Sequence, residues 1–370
     1  LPRLVDYRVK KNDLDRRARS YLHANCSHCH RKWGGGNARF QLLDTLDLSE
    51  TGTLGVRPGQ GTFGMAAGKV LAAGDPYRSV LFFRMSKLGA GRMPRIGSSV
   101  VDPVGTRLIH DWIASLPSAS PEPNIARSRG ETAVAMKALK STASDAERAA
   151  QIDSLLKTTP GSIRLLHATT GSELDQATRS QVIRSATAHA SATVRDLFER
   201  YLPEEKRVKR LGTTIKPAQI LSLPGDIARG RDVFFKTDGV QCRNCHKIAG
   251  QGKEVGPDLS GVGKKFTRAQ ILESILQPSK KIEPKWLTYV VETVQGRVFT
   301  GLLVSKDDKQ VVLKDAKDKL TRIAAEDVDV LAAQQKSLMP DLLVRDMTAQ
   351  QVADLTAFLS SLKTPVPPKK

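Results

Sequence analysis

The residues best equipped for chemistry lie in two pentapeptides, Cys26-Ser27-His28-Cys29-His30 and Cys242-Arg243-Asn244-Cys245-His246, 216 residues apart. Together they use all four cysteines of the chain, so no thiol remains for a disulfide framework or a free nucleophile. A Cys-x-x-Cys pair alone would suit a zinc knuckle or a redox dithiol. The histidine that follows at once in both copies points instead to covalently attached haem. Two thiols at this spacing can add across the vinyl groups of one porphyrin, and the adjacent imidazole then ligates the iron. The expectation is two haem c groups, held through Cys26 and Cys29 with His30, and through Cys242 and Cys245 with His246.

A sixth iron ligand is expected from a methionine on the far side of each haem. In the first part the candidates are Met65, Met85 and Met93. Met93 lies in Gly91-Arg92-Met93-Pro94, where the proline denies the loop a helical continuation. Met85 follows the apolar run Val80-Leu81-Phe82-Phe83 and reads as helix packing, and Met65 sits among glycines. In the second part Met339, in Ser337-Leu338-Met339-Pro340, is preferred to Met347, which directly precedes the last helix. Met93 and Met339 are therefore the expected ligands. Both precede a helix and stand well beyond their histidines.

Helices must deliver these groups. Leu14, Ala18, Tyr21 and Leu22 form one face of a helix predicted over 13–25, running straight into Cys26. The loops that follow are rich in glycine, beginning at Gly34-Gly35-Gly36. Asp102-Pro103 reads as an N-cap with proline at the first helical position. It opens a helix carrying Val104, Leu108, Trp112 and Leu116. The second motif has the same plan, with an entry helix from Gly225 to about Lys236. A capping box, Thr348-x-x-Gln351, opens the last helix. Between them, alternating β-branched stretches around a Gln295-Gly296 turn, and further strands near 310–314 and 319–323, predict a small sheet or barrel inserted over roughly residues 286–330.

The fold expected is mainly α: two class I cytochrome c-like domains, 1–117 and 213–370, joined by a helical segment at 118–212. That segment begins with the Pro/Ser-rich stretch 117–123, has Ser144-x-x-Glu147 as a cap and Pro160 at a helix start, and is loosely HEAT-like without a clean repeat. It reads as a spacer. His167 and His189 in it are expected to be structural.

Tyr21-Leu22-His23-Ala24-Asn25-Cys26, Gly74-Asp75-Pro76-Tyr77-Arg78-Ser79 and Met93-Pro94 resemble a haem domain of large secreted bacterial proteins, often found beside sugar-dehydrogenase-like propellers. That family usually has Pro-Pro after the methionine; here Pro94-Arg95 adds a positive charge. The C-terminal part resembles the planctomycete-type haem-binding domain. The resemblance is carried by Cys242–His246, Gly256-Pro257, Ile275-Leu276-x-Pro278-Ser279, the glycines 296 and 301, and Ser337-x-Met339-Pro340. In class I cytochromes the turn matching Gly256-Pro257 sets the proline carbonyl against the proximal imidazole. The resemblance thus implies that Pro257 orients His246. It implies electron transfer, not a particular substrate.

The chain has 370 residues and a net charge of +20, with excesses of +9 over residues 1–117, +4 over 118–227 and +7 over the remainder. This basic surface suits either solubility or steering toward an acidic redox partner. Nothing resembling a nucleic-acid module accompanies it, and no run of 18 apolar residues exists to span a membrane. The chain opens on Leu1-Pro2-Arg3, with neither methionine nor an apolar leader. Because haem is normally attached after export, a removed leader or a larger precursor is expected, and a periplasmic or extracellular location.

The leading functional reading is a dihaem electron-transfer protein, with a secreted dehydrogenase as donor and another cytochrome or an oxidase as acceptor. A dihaem peroxidase would need one haem with a vacant distal side and an acid/base residue. Here each half offers its own Met-Pro turn, and neither His23 nor His110 stands in a distal position. A haem-based sensor or binding module, using the β insertion as its surface, is the third reading. The chain itself is expected to be an electron-transfer module more than an enzyme.

Overall fold

The computed structural model describes residues 3–32, 40–95, 98–118, 120–141, 144–237, 240, 242–316 and 318–364. Gly34-Gly35-Gly36 lies outside the described residues. The chain forms two units, Leu1–Val208 and Lys209–Lys370. It is mostly helical, with one small antiparallel sheet.

In the first unit, Asp13 caps helix α1 (Leu14–Cys26) by accepting from the Arg16 N–H, satisfying an otherwise unpaired donor of the first turn. After loops containing the short helix α2 (Val80–Met85) comes α3 (Pro103–Ser115). Its cap Asp102 accepts from the N–H groups of Val104 and Gly105. The crossing of α3 on α1 depends on the missing side chain at Gly105: a Cβ there would lie 2.2 Å from the Tyr21 ring. Trp112 seals the crossing, donating from Nε1 to Asp15 Oδ1 at 2.7 Å.

Helices α4 (Pro123–Ser141), α5 (Asp145–Leu156), α6 (Thr159–Thr170), α7 (Gln176–Ala188) and α8 (Ala192–Phe198) follow. These helices, read from sequence as a spacer, pack into the same unit. Ile152, Leu156, Ile163, Leu165 and Phe198 share one buried core with Leu71, Phe83, Ile109 and Trp112. Polar ties cross the same boundary. Thr159 Oγ1 donates to the Phe63 carbonyl at 2.6 Å, the Leu88 N–H donates to the Asp196 carbonyl, and buried Lys87 pairs with Asp196 at 3.0 Å. The apolar faces of α4–α8 had to be covered, and the loops around residues 63–92 cover them.

In the second unit, α9 (Pro217–Leu221) precedes α10 (Ile227–Lys236), which crosses the last helix, α13 (Ala349–Ser361). Glycine again makes the crossing: a Cβ on Gly230 would sit 2.0 Å from the Asp354 carbonyl oxygen. Asp354, buried, receives the Asp226 N–H at 2.8 Å and the Arg229 Nε at 2.7 Å. Between these helices lie a two-strand ribbon, β1 (Lys247–Ile248) with β2 (Gln251–Gly252), and then α11 (Val262–Lys265) and α12 (Arg268–Leu276).

The insertion is a five-stranded antiparallel sheet built from β3 (Thr288–Thr293), β4 (Val298–Lys306), β5 (Gln310–Lys314), β6 (Leu320–Ala324) and β7 (Val328–Gln334), in the order β6-β5-β4-β3-β7. Gly296 makes the β3–β4 turn with φ of 72°, a conformation costly for residues with a Cβ. Alternation puts Val291, Val311, Leu313 and Ile323 on one covered face. The strand β7, which pairs with β3, had not been expected. It extends the sheet to residue 334.

Candidate haem-attachment sites

Both motifs adopt one wound turn. In the first, the Cys29 and His30 N–H groups donate to the Cys26 carbonyl at 3.1 and 2.9 Å; in the second, Cys245 and His246 donate to the Cys242 carbonyl at 3.1 and 2.9 Å. This winding gathers two thiols and an imidazole within five residues. All four cysteines are free and half-buried. Burial pushes the thiols of Cys26 and Cys242 up to about 12, and that of Cys245 up as well. Among the described residues, no group of three or more His, Cys, Asp or Glu side chains could hold a metal ion.

Around His246 the second unit is built tightly. Its Nδ1 lies 2.9 Å from the Pro257 carbonyl oxygen, a contact that makes Nδ1 the donor and leaves Nε2 for a ligand. Gly256 allows the approach, since a Cβ there would stand 2.7 Å from His246 Cε1. Burial lowers the pKa of His246, opposed by this hydrogen bond, so the ring is neutral as iron ligation requires. These features fit covalently held haem.

His30 has a different setting. Its ring stacks on Phe40, with centroids 4.5 Å apart and planes 7° apart. Its Nδ1 is buried and, among the described residues, has no hydrogen-bond partner. Burial, with Arg84 and His28 adding to it, lowers its pKa to about 4. A neutral buried imidazole beside two free thiols also fits the group.

Of the methionines, Met65 and Met85 are buried in the first unit's core and Met347 in the second's. Met65, though it sits among glycines, is thus part of the buried core that includes Phe63. Met93 and Met339 are only half-buried. The Met93 turn is bracketed by Arg84, whose carbonyl accepts the Met93 N–H at 2.9 Å and whose Nε donates to the Gly91 carbonyl at 2.6 Å. Arg92, buried, donates to the carbonyls of Pro94, Ser98 and Val100 and so knits the loop that follows.

Met339 is placed by closure of the insertion. The Ser337 N–H donates to Ser279 Oγ at 3.1 Å, joining the chain after the sheet to the chain before it, and the Met339 N–H donates to Ser337 Oγ at 3.1 Å. Met339 and Cys242 both pack against the second unit's core. Arg84, Arg92 and Ser279 were not singled out as positioning residues from sequence. The two serines belong to short motifs whose pairing only the fold reveals, and a buried arginine bonded to carbonyls leaves no sequence signal.

No helix among the described residues is long and apolar enough to cross a membrane. No curated protein matches the chain. Residues 227–298 match the family model described as Cytochrome c, a stretch that runs from α10 into β4 and contains Cys242, Cys245, His246 and Pro257. A cytochrome c domain at 227–298 supports a haem-based electron-transfer role and implies covalently bound haem c.

Proposed function

We propose that the chain is a dihaem c-type cytochrome, with a haem domain in each unit, that accepts electrons from a secreted dehydrogenase and passes them to another cytochrome or an oxidase. The observation that carries this reading is the shared turn. Cys26–His30 has the same backbone hydrogen bonds as Cys242–His246, which lies inside the matched cytochrome c stretch. In both units a helix leads to the motif and is crossed by a later helix at a glycine, Gly105 in the first and Gly230 in the second.

Haem, once attached, supplies a one-electron Fe(III)/Fe(II) couple. The chain's own residues do the rest. Cys26, Cys29, Cys242 and Cys245 would fix the group, and His30, His246, Met93 and Met339 would supply its iron ligands. Pro257 orients His246. A histidine and a methionine from the chain for each iron would suit electron transfer and would disfavour a peroxidase. The maturation chemistry favours an exported protein, and the net charge of +20 favours acidic partners.

Optical spectra test this. The oxidised protein should show the weak far-red sulfur-to-iron band, and the reduced protein should bind CO slowly. Met93→Ala and Met339→Ala should each remove part of that band. A high-spin iron at rest, or a band untouched by either substitution, would sink the ligand assignment.

A further inference from the structure

The two attachment sites differ around the histidine and around the methionine. On the proximal side, His246 gives its Nδ1 proton to the Pro257 carbonyl at 2.9 Å. Such a bond makes an imidazole a stronger donor and so favours Fe(III). His30 has no counterpart among the described residues: its buried Nδ1 has no hydrogen-bond partner there, and its ring stacks on Phe40.

On the distal side, the Met93 turn is held by guanidinium groups. Arg84 donates to the Gly91 carbonyl and lies 5.7 Å from the centre of the Phe63 ring, while Arg92 donates to the Pro94 and Ser98 carbonyls from a buried position. The nearby Lys87 is offset by Asp196 at 3.0 Å. The Met339 turn is held by the hydroxyls of Ser279 and Ser337, and its flanking charges, Lys336 and Asp341, form a pair at 3.8 Å. A cation in a low-dielectric setting opposes Fe(III) more than Fe(II).

We infer that the site built on His30 takes up an electron before the site built on His246, which makes the first unit the end that hands electrons on. This rests on the dihaem reading above. The exchange is balanced: Fe(II) at the His246 site becomes Fe(III), Fe(III) at the His30 site becomes Fe(II), and one electron moves with no bond made or broken. In a transfer sequence the donor that feeds the chain is then served by the second unit, and the acceptor by the first.

Stepwise reduction of the full, haem-loaded chain with dithionite tests the order. Proton NMR follows the upfield methyl signal of each iron-bound methionine, and Met93→Ala or Met339→Ala, either one sufficing, identifies the signals. The Met93 signal should appear first, with an equilibrium constant between the sites of about tenfold, equivalent to 59 mV for one electron. Arg84→Gln should shrink that ratio by moving the first site alone. If the Met339 signal appears first, if the two rise together, or if Arg84→Gln leaves the ratio unchanged, the inference is wrong while two haems per chain still support the dihaem reading. One haem per chain would overturn both.

Discussion

Replacing Asp196 by alanine removes the acidic half of an ion pair that joins the loop before Met93 to helix α8. The pair is tight and dry: Lys87 Nζ and Asp196 Oδ2 are 3.0 Å apart, and the side chains are 3% and 9% exposed. Breaking a buried pair from one side costs about 3–5 kcal/mol, because the remaining charge keeps its desolvation penalty. Here the ammonium keeps some compensation. It donates to the Ala90 carbonyl at 2.6 Å and sits over the Phe63 and Phe83 rings at 5.6 and 5.4 Å. The loss should therefore fall near the lower end, about 3 kcal/mol. With a urea slope of about 2 kcal/mol per molar, the midpoint of the first unit should drop by about 1.5 M. The double variant Lys87→Met with Asp196→Ala should lose less than the two single losses added together, with a coupling of about 1–3 kcal/mol. The second unit's transition should stay in place. A midpoint shift under about 0.3 M, or additive single losses, would refute the view that this pair fastens α8 to the methionine loop.

The remaining expectations concern the helix crossing, the proximal ring and pH. Gly230→Ala puts a methyl group where the Asp354 carbonyl already lies, 2.0 Å away; the second unit should lose about 1–3 kcal/mol in urea unfolding, and an unchanged midpoint would mean that α10 and α13 do not depend on this approach. Gly256→Ala drives a Cβ to 2.7 Å from His246, so the potential of the second site should shift while the first keeps its own; potentiometry showing no change would argue against Pro257 as the orienting group. The buried histidines of the first unit give a pH dependence. His110 and His167 stack at 3.7 Å between Tyr77, Asp111, Arg107, Arg164 and Glu173, and burial lowers both pKa values, that of His167 from 6.5 to about 4. The unfolded chain therefore binds protons there that the native one refuses, so stability is full above pH 6.5 and falls as pH drops toward 4. At 1.36 kcal/mol per unit the ceiling for His167 is about 3 kcal/mol, and partial solvent access reduces it to about 2. Urea midpoints at pH 7 and pH 5 should show the loss, and His167→Phe should remove most of it; an equal loss in that variant would assign it elsewhere.

Much of the site was legible because its chemistry is written in contiguous residues. Cys-x-x-Cys-His, Asp102-Pro103 and Thr348-x-x-Gln351 each act within one or two turns, and the structure shows the last as a complete capping box. Turn signals at Gln295-Gly296 likewise placed the β3–β4 hairpin to within two residues. What could not be read depends on partners far along the chain. Gly105 looks like a weak helix residue until Tyr21 is seen beneath it, and Gly230 until Asp354 is. The strand β7 is mostly exposed and lacks a buried alternation, so only its pairing with β3 reveals it. The helices from 123 to 198 have amphipathic faces that say something covers them but not what. Phe63, Tyr77 and Lys87 supply the answer through contacts separated by up to 109 positions.

Two haems per chain is the central claim, and intact-mass measurement of the full protein, matured where haem can be attached, tests it most directly. The account predicts a mass raised by two haem groups, reduced to one when Cys26 and Cys29 are both replaced by alanine and likewise when Cys242 and Cys245 are. A single haem on the unmodified chain, lost only with Cys242 and Cys245, would contradict it and leave the second unit as the sole cytochrome domain.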